Sequence, residues 1–241
     1  MRRFRRLPRK VQLLVYALGA LSLLLAANWV YQVVRKPAEL LFPVSGALNK
    51  TPTQTWDQYR TLFREHATAT ITPELLAALA QVEGAGNPAA LTTWRLRATS
   101  DPREVYRPAS SAVGMYQITD CTYREASRYC IRGNVAIEEG CWFNSLYLRV
   151  VPSHAVEMTS AYLDRRVAET LARYRIARAT NGQKQDLAAL IHLCGAGAGA
   201  AYAQRGFRLA PAQRCGEHDA AGYLARVNAA KRLFARLSAL G

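Results

Sequence analysis

The sequence predicts an all-α domain standing behind one N-terminal transmembrane helix. Three observations carry that expectation. Residues 11–34 (VQLLVYALGALSLLLAANWVYQVV) hold no charged side chain, apolar residues in the rest of the chain recur at helical spacing, and no stretch alternates as a half-buried strand would. Half of the 241 residues are hydrophobic and a fifth are charged, which excludes a disordered chain. No internal repeat is visible.

The elements follow in order. Residues 1–10 (MRRFRRLPRK) are a basic segment without acids. The apolar helix over 11–34 would span roughly 36 Å at 1.5 Å per residue, enough for a bilayer core. Trp29 and Tyr31 fall near its far end, where amphipathic rings favour the interface. The heavier basic cluster precedes the span, so the N-terminus stays in the cytoplasm and the remainder is exported. A cleaved signal peptide is the competing reading. The length of the apolar stretch and the lack of a clean Ala-x-Ala site, Leu25-Ala26-Ala27 being the nearest, favour a retained anchor.

Residues 35–54 show prolines and no sustained period, and read as a linker to a domain over 55–241. TWDQYRTLFREHAT (55–68) sets Trp56, Tyr59, Leu62 and Phe63 on one helical face. The next helix starts at Thr72 as N-cap, with Pro73 first and Glu74 at the positive dipole end, and stops on Gly84 and Gly86. Residues 87–113 read as loop. A helix over 118–130, capped by Thr119 or Asp120, precedes a long amphipathic helix capped by Ser153. QKQDLAALIHLC (183–194) is a buried helix ended by GAGAGA, and a last helix covers roughly 220–240.

The net charge is +15, of which residues 1–10 supply six. What remains is spread thinly and suits an anionic cell wall or membrane surface; with export expected, nucleic acid is the weakest partner. All five cysteines lie on the exported side, where disulfides persist. Cys121 and Cys130 are expected to share one helix at roughly 13 Å, too far to bridge. The simplest pairing is therefore Cys130 with Cys141 and Cys194 with Cys215, leaving Cys121 over.

Glu83 lies four residues after Leu79 and seven after Leu76, so it shares their inward face. A carboxylate beside apolar side chains loses solvation when charged, which favours the protonated form that a general acid needs. Taken alone, such a residue is more often a solvated surface acid. The stretch SSAVGMYQIT (110–119) could line a groove, with Gln117 and backbone groups bonding a polar substrate; taken alone, it is an ordinary loop entering a helix.

Together the two stretches resemble the lytic transglycosylases of the goose-type lysozyme superfamily. The resemblance rests on an apolar helix ending in Glu-x-x-x-Asn-Pro (Glu83, Asn87, Pro88), then Gly-x-x-Gln (Gly114, Gln117). Ala161-Tyr162-Leu163, the Gly-rich helix end at 195–199 and Tyr223 in GYLARV agree with it, and it covers roughly 70–235. It implies a lysozyme-like helical fold and cleavage of the N-acetylmuramic acid–N-acetylglucosamine bond of peptidoglycan, leaving 1,6-anhydro ends. Glu83 would be the single acid/base, with Ser111, Gly114, Tyr116, Gln117, His192 and Tyr223 contacting substrate and no cofactor needed. It also implies a bacterial inner membrane anchor and a catalytic domain in the periplasm or outside. A cell-envelope assembly partner is a further candidate.

Departures from the family pattern are Gly84 where Ser is usual, Ser111-Ala112 for Gly-Ala, His192-Leu193 for Tyr-Asn, and an insertion, LTTWRLRATSDPREVYRPAS, between the two motifs. The insertion brings Asp101 and Glu104, either of which could serve as the second carboxylate of a hydrolytic muramidase. Trp94, Tyr106 and Tyr116 could stack on sugars, though large aromatics are core by default. A catalytically silent wall-binding or scaffold protein is the third reading. His192, Cys194, Cys215 and His218 offer a Cys/His set of the kind zinc uses, but export favours the disulfide, and no metal is expected.

Overall fold

The computed structural model describes residues 8–41 and 45–240, and it divides into two compact units, one of Met1–Pro43 with Thr92–Ser111 and the other of Val44–Leu91 with Ala112–Gly241. In the first unit, α1 (Arg9–Arg35) runs 27 residues, about 40 Å. It is long and apolar enough to cross a membrane, and its leucines, Leu13, Leu14, Leu23 and Leu24 among them, are exposed. A short 3-10 turn (Pro37–Leu41) follows. The unit is completed by β1 (Trp94–Leu96) and β2 (Tyr106–Pro108), antiparallel with Leu96 opposite Tyr106. These strands fall where a loop was expected. With three residues each they are too short to show alternation, and Pro108 is confined to an edge.

The second unit is helical, as expected. Helix α2 (Pro52–Glu65) opens with a capping box between Thr51 and Gln54. Thr72 caps α3 (Pro73–Gly84), with Pro73 in the first turn. Leu75, Leu76, Ala77, Ala78, Leu79 and Ala80 are all buried, so α3 is wrapped on every side. It packs chiefly against α7 (Ala220–Leu240) and α2, while α5 (Pro152–Arg173) packs on α6 (Asn181–Gln204). Its three alanines let those neighbours come close. Trp56 lies 6.2 Å from Phe63 and 5.9 Å from Phe234, joining α2 to α7.

Several boundaries differ from the sequence reading. Helix α4 (Asp120–Ala126), capped by Thr119, stops short of Cys130, which opens β3 (Cys130–Arg132) instead of sharing a helix with Cys121. Strand β3 pairs with β4 (Val135–Ile137) across Gly133 and Asn134, both left-handed with φ of 54° and 63°. That two-residue turn is the hairpin type whose twist matches its strands. Val151 rather than Ser153 precedes α5, with Pro152 as its first residue. Helix α6 is broken at Gly195 (φ 81°, ψ 170°) and resumes as a second arm, so GAGAGA bends the helix without finishing it.

A third hairpin, β5 (Arg214–Cys215) and β6 (His218–Asp219), leads into α7. Cys130 is bonded to Cys141 and Cys194 to Cys215, while Cys121 is free and exposed.

Buried Glu157 of α5 accepts from the Ile131 backbone N–H at 2.9 Å and from the Tyr147 hydroxyl at 2.6 Å, tying β3 and the segment before α5 to the core. Burial, then the bond to Glu157, pushes the Tyr147 hydroxyl from 10.0 up to about 12. Its folded value exceeds its unfolded one, so this contribution is complete below pH 10 and fades as pH rises toward about 12. Urea midpoints measured across that window should fall with pH, and less steeply in Tyr147→Phe. Equal slopes in the two proteins would show that Tyr147 is not part of the alkaline loss.

Candidate active site

Glu83 occupies the last turn of α3, and the packing of α3 decides its surroundings. Leu79 and Leu76, one and two turns earlier, are sealed in the core, whereas the Glu83 side chain keeps 16% of its surface open. The helix ends abruptly behind it. Ala85 takes a left-handed conformation (φ 49°), the Gly86 N–H returns to the Ala80 carbonyl, and the Asn87 N–H bonds the Gly84 carbonyl. Buried Asn87 then donates to the Asn49 side chain at 2.9 Å and accepts from the Ala89 N–H at 2.8 Å. The chain after the acid is thus held rigidly, and Pro88 carries it away from the helix.

Two side chains from distant parts of the sequence meet the carboxylate. Tyr223, 2% exposed in the first turns of α7, donates its hydroxyl to Glu83 Oε1 at 2.5 Å. Burial first, and then the charge and hydrogen bond of Glu83, holds the tyrosine well above its ordinary value, so it remains a donor. His192 of α6 places Nε2 3.6 Å from the same Oε1, with 9% of its side chain exposed. The Cys194–Cys215 disulfide joins the turn after His192 to the hairpin that starts α7. Asp219, at the end of that hairpin, accepts from the Gly222 N–H at 2.6 Å and fixes the first turn carrying Tyr223.

The Gly-x-x-Gln segment closes on the same helix end. The Gly114 N–H bonds the Ala90 carbonyl at 2.8 Å, and the Gln117 amide nitrogen donates to Ala90 and Gly114 carbonyls at 3.1 and 2.9 Å. Gln117 therefore braces its own loop, itself in a left-handed conformation (φ 47°). Gly114 has φ 80°, and a Cβ there would lie 2.3 Å from the Arg149 carbonyl oxygen, so only glycine fits. Gly84 is tight as well, though its φ is ordinary: a Cβ would sit 2.9 Å from both Cα and O of Met115. Glycine instead of the family's serine lets the two motifs touch through their backbones.

The remaining expected residues are distributed over both units. Tyr116 is fully enclosed in the helical core and offers no ring face to a sugar; burial drives its hydroxyl well above the ordinary value. Ser111, Asp101 and Glu104 belong to the unit that contains α1. Asp101 is paired with Arg103, whose side-chain and backbone hydrogen bonds hold its carboxyl below the ordinary range. Glu104 is paired with Arg35 and Arg107. Trp94 donates its indole N–H to Glu39 at 2.9 Å. Cys194 and Cys215 are joined to each other, which removes both thiolates from the Cys/His set considered for zinc.

Arg149 was not singled out from the sequence. Its guanidinium donates to the Ile118 carbonyl at 2.8 Å and pairs with Asp120 at 2.8 Å, fastening the start of α4 beside the Gly-x-x-Gln loop. One arginine in a loop before a helix carries no sequence signal of such a role. Thr55, whose hydroxyl donates to Gln81 of α3 at 2.7 Å, was equally silent.

The family model described as the Transglycosylase SLT domain matches residues 61–191. Among curated proteins nothing matches.

Gly84→Ser restores the side chain usual in the family but places its Cβ against the Met115 backbone. We expect a loss of about 1–3 kcal/mol in urea unfolding, the usual cost of overpacking. An unchanged midpoint would mean that the two motifs are not in fixed contact.

Proposed function

As the chain belongs to the Transglycosylase SLT family, with its lysozyme-like helical fold and its action on peptidoglycan, we propose that Glu83 is the single acid/base of a non-hydrolytic cleavage between N-acetylmuramic acid and N-acetylglucosamine. The observation that carries this reading is the Glu83 carboxyl at the open end of an otherwise sealed helix, bonded by Tyr223 and approached by His192.

Both neighbours address Oε1, which leaves Oε2 to carry the reactive proton. Protonated Glu83 gives that proton to the glycosidic oxygen as the bond from that oxygen to C1 of muramic acid breaks. Positive charge then develops on the sugar ring, and the carboxylate just formed lies beside it. Glu83 takes the proton of the muramic acid's own C6 hydroxyl, and O6 closes on C1. One bond breaks, one forms, the acid regains its proton and no water is consumed, so a second carboxylate has no task. Tyr223, a donor throughout, stabilises Glu83 in its anionic phase. Gly114, Gln117 and His192 border the groove that receives the glycan strand.

The same reading places the enzyme at the bacterial inner membrane. Helix α1 crosses once, basic residues 1–10 stay in the cytoplasm, and the second unit works on the periplasmic or outer side. There both disulfides persist.

Purified peptidoglycan digested with the full chain in detergent should yield 1,6-anhydro ends by mass spectrometry, and Glu83→Gln should slow their release by about 10²-fold or more. Reducing ends would point instead to a hydrolase. Wall binding without release, or undiminished release by Glu83→Gln, would remove Glu83 from the acid/base role.

A further inference from the structure

The second unit holds a cavity away from Glu83. Its volume is about 480 Å³, within the roughly 300–1,000 Å³ of small-molecule sites. It lies where the end of α5, the start of α6 and the end of the second arm of α6 meet. Tyr174, Ile176 and Phe207 give it apolar walls, and Arg178, Gln183 and Gln204 give it polar groups. Gln183 precedes His192 on the first arm of α6 by about 13 Å of helix. The cavity is thus at the other end of that arm from the neighbour of the acid.

Charge around it is of one sign. Residues 173–184 and 203–208, which supply its walls, include six basic side chains and no acid. Helix ends account for part of this: Arg173 complements the C-terminus of α5, and Arg205 donates to the Arg208 carbonyl at 3.1 Å. Arg175, Arg178, Lys184 and Arg208 have no such task, and none of them is in an ion pair among the described residues. The acids nearest in sequence are engaged elsewhere, Glu169 with Arg166 and Asp186 with Asn228. The N-terminus of α6 adds the positive end of its dipole.

Backbone conformation agrees. Arg175 and Phe207, each just past a helix end at this cavity, are left-handed with φ of 53° and 60°. Glycine is the usual residue there because a side chain makes that conformation costly. Phe207 nonetheless sets its ring 5.8 Å from that of Tyr202, edge-on, and lines the cavity. Gln183 accepts the Thr180 N–H at 2.9 Å through Oε1, which leaves its amide nitrogen to donate to a ligand.

We propose that this cavity is a second wall-binding site, which takes a carboxylate-bearing peptide of peptidoglycan while Glu83 works on the glycan. Arg178 holds a peptide carboxylate, since a guanidinium fork matches its two oxygens. Tyr174 and Phe207 cover the aliphatic part, and the amides of Gln183 and Gln204 meet the peptide backbone. Arg175, Lys184 and Arg208 draw the anionic peptide in from solution. Bound at both places, the enzyme stays on peptide-bearing wall in preference to bare glycan.

The site presupposes peptidoglycan as substrate, which the digestion above tests separately. Calorimetric titration would use the full chain in non-ionic detergent and free alanyl-glutamyl-diaminopimelyl-alanine peptide. Arg178→Gln should weaken binding about tenfold, the size of one charge-assisted hydrogen bond. Arg236→Gln, which removes one exposed charge from α7 instead, should bind as the natural chain does. Glu83→Gln should also bind normally, so that the site is read independently of cleavage. Peptide with its carboxylates amidated should not bind. No binding of the free peptide, equal binding of the amidated one, or an equal loss in Arg236→Gln would overturn the site. Tighter binding of inorganic phosphate than of peptide would assign the cavity to phosphate and overturn it as well. Should Arg178→Gln fail to fold, the amidated peptide decides with the natural chain alone.

Discussion

The hydrogen bond from Tyr223 to Glu83 is the contact on which the arrangement turns, because it closes the domain between its second and last helices. A carboxylate at the edge of an apolar core is costly to orient, since water competes for it and neighbouring leucines offer it nothing. Here a buried phenol fixes one oxygen. The phenol in turn is held by α7, whose start is pinned by Asp219 and by the Cys194–Cys215 bond. That disulfide reaches the arm of α6 that presents His192. Core packing, cross-link and acid are one mechanical unit, and the reactive oxygen is positioned by helices and not by a loop.

Backbone contact supplies the second constraint. The end of α3 and the Gly-x-x-Gln loop approach so closely that neither Gly84 nor Gly114 has room for a side chain, and Gln117 spends its amide nitrogen on bracing the loop. The departure from serine at position 84 is therefore a change in how the two motifs pack. It leaves the acid itself untouched.

Much of this was legible in the sequence, for identifiable reasons. Thr72-Pro73 and the Gly84–Gly86 ending mark α3, and the spacing of Leu76, Leu79 and Glu83 puts the acid on the inward face. Long helices with strong periods were read closely. Strands of two or three residues were not, because alternation needs more length than they have. The Gly133-Asn134 pair between Ile131 and Val135 was the signal for one of them, and reading it would have placed Cys130 correctly outside α4. Tyr116 could not be told from a sugar-stacking aromatic, since whether Gly-Met-Tyr-Gln faces the groove or the core is settled only by tertiary packing. The approach of His192 to Glu83 and the brace by Arg149 depend on residues far apart in the chain, and local patterns do not encode such meetings.

The mechanism stands or falls on Glu83 passing a proton between two sugar oxygens while the substrate supplies its own nucleophile. Digesting peptidoglycan in water enriched with oxygen-18 separates this from hydrolysis. Closure by the C6 hydroxyl should leave muramic acid ends that carry no label and lack the mass of one water. Label at C1 of the released ends would mean that water attacks, and the single-acid mechanism would be contradicted.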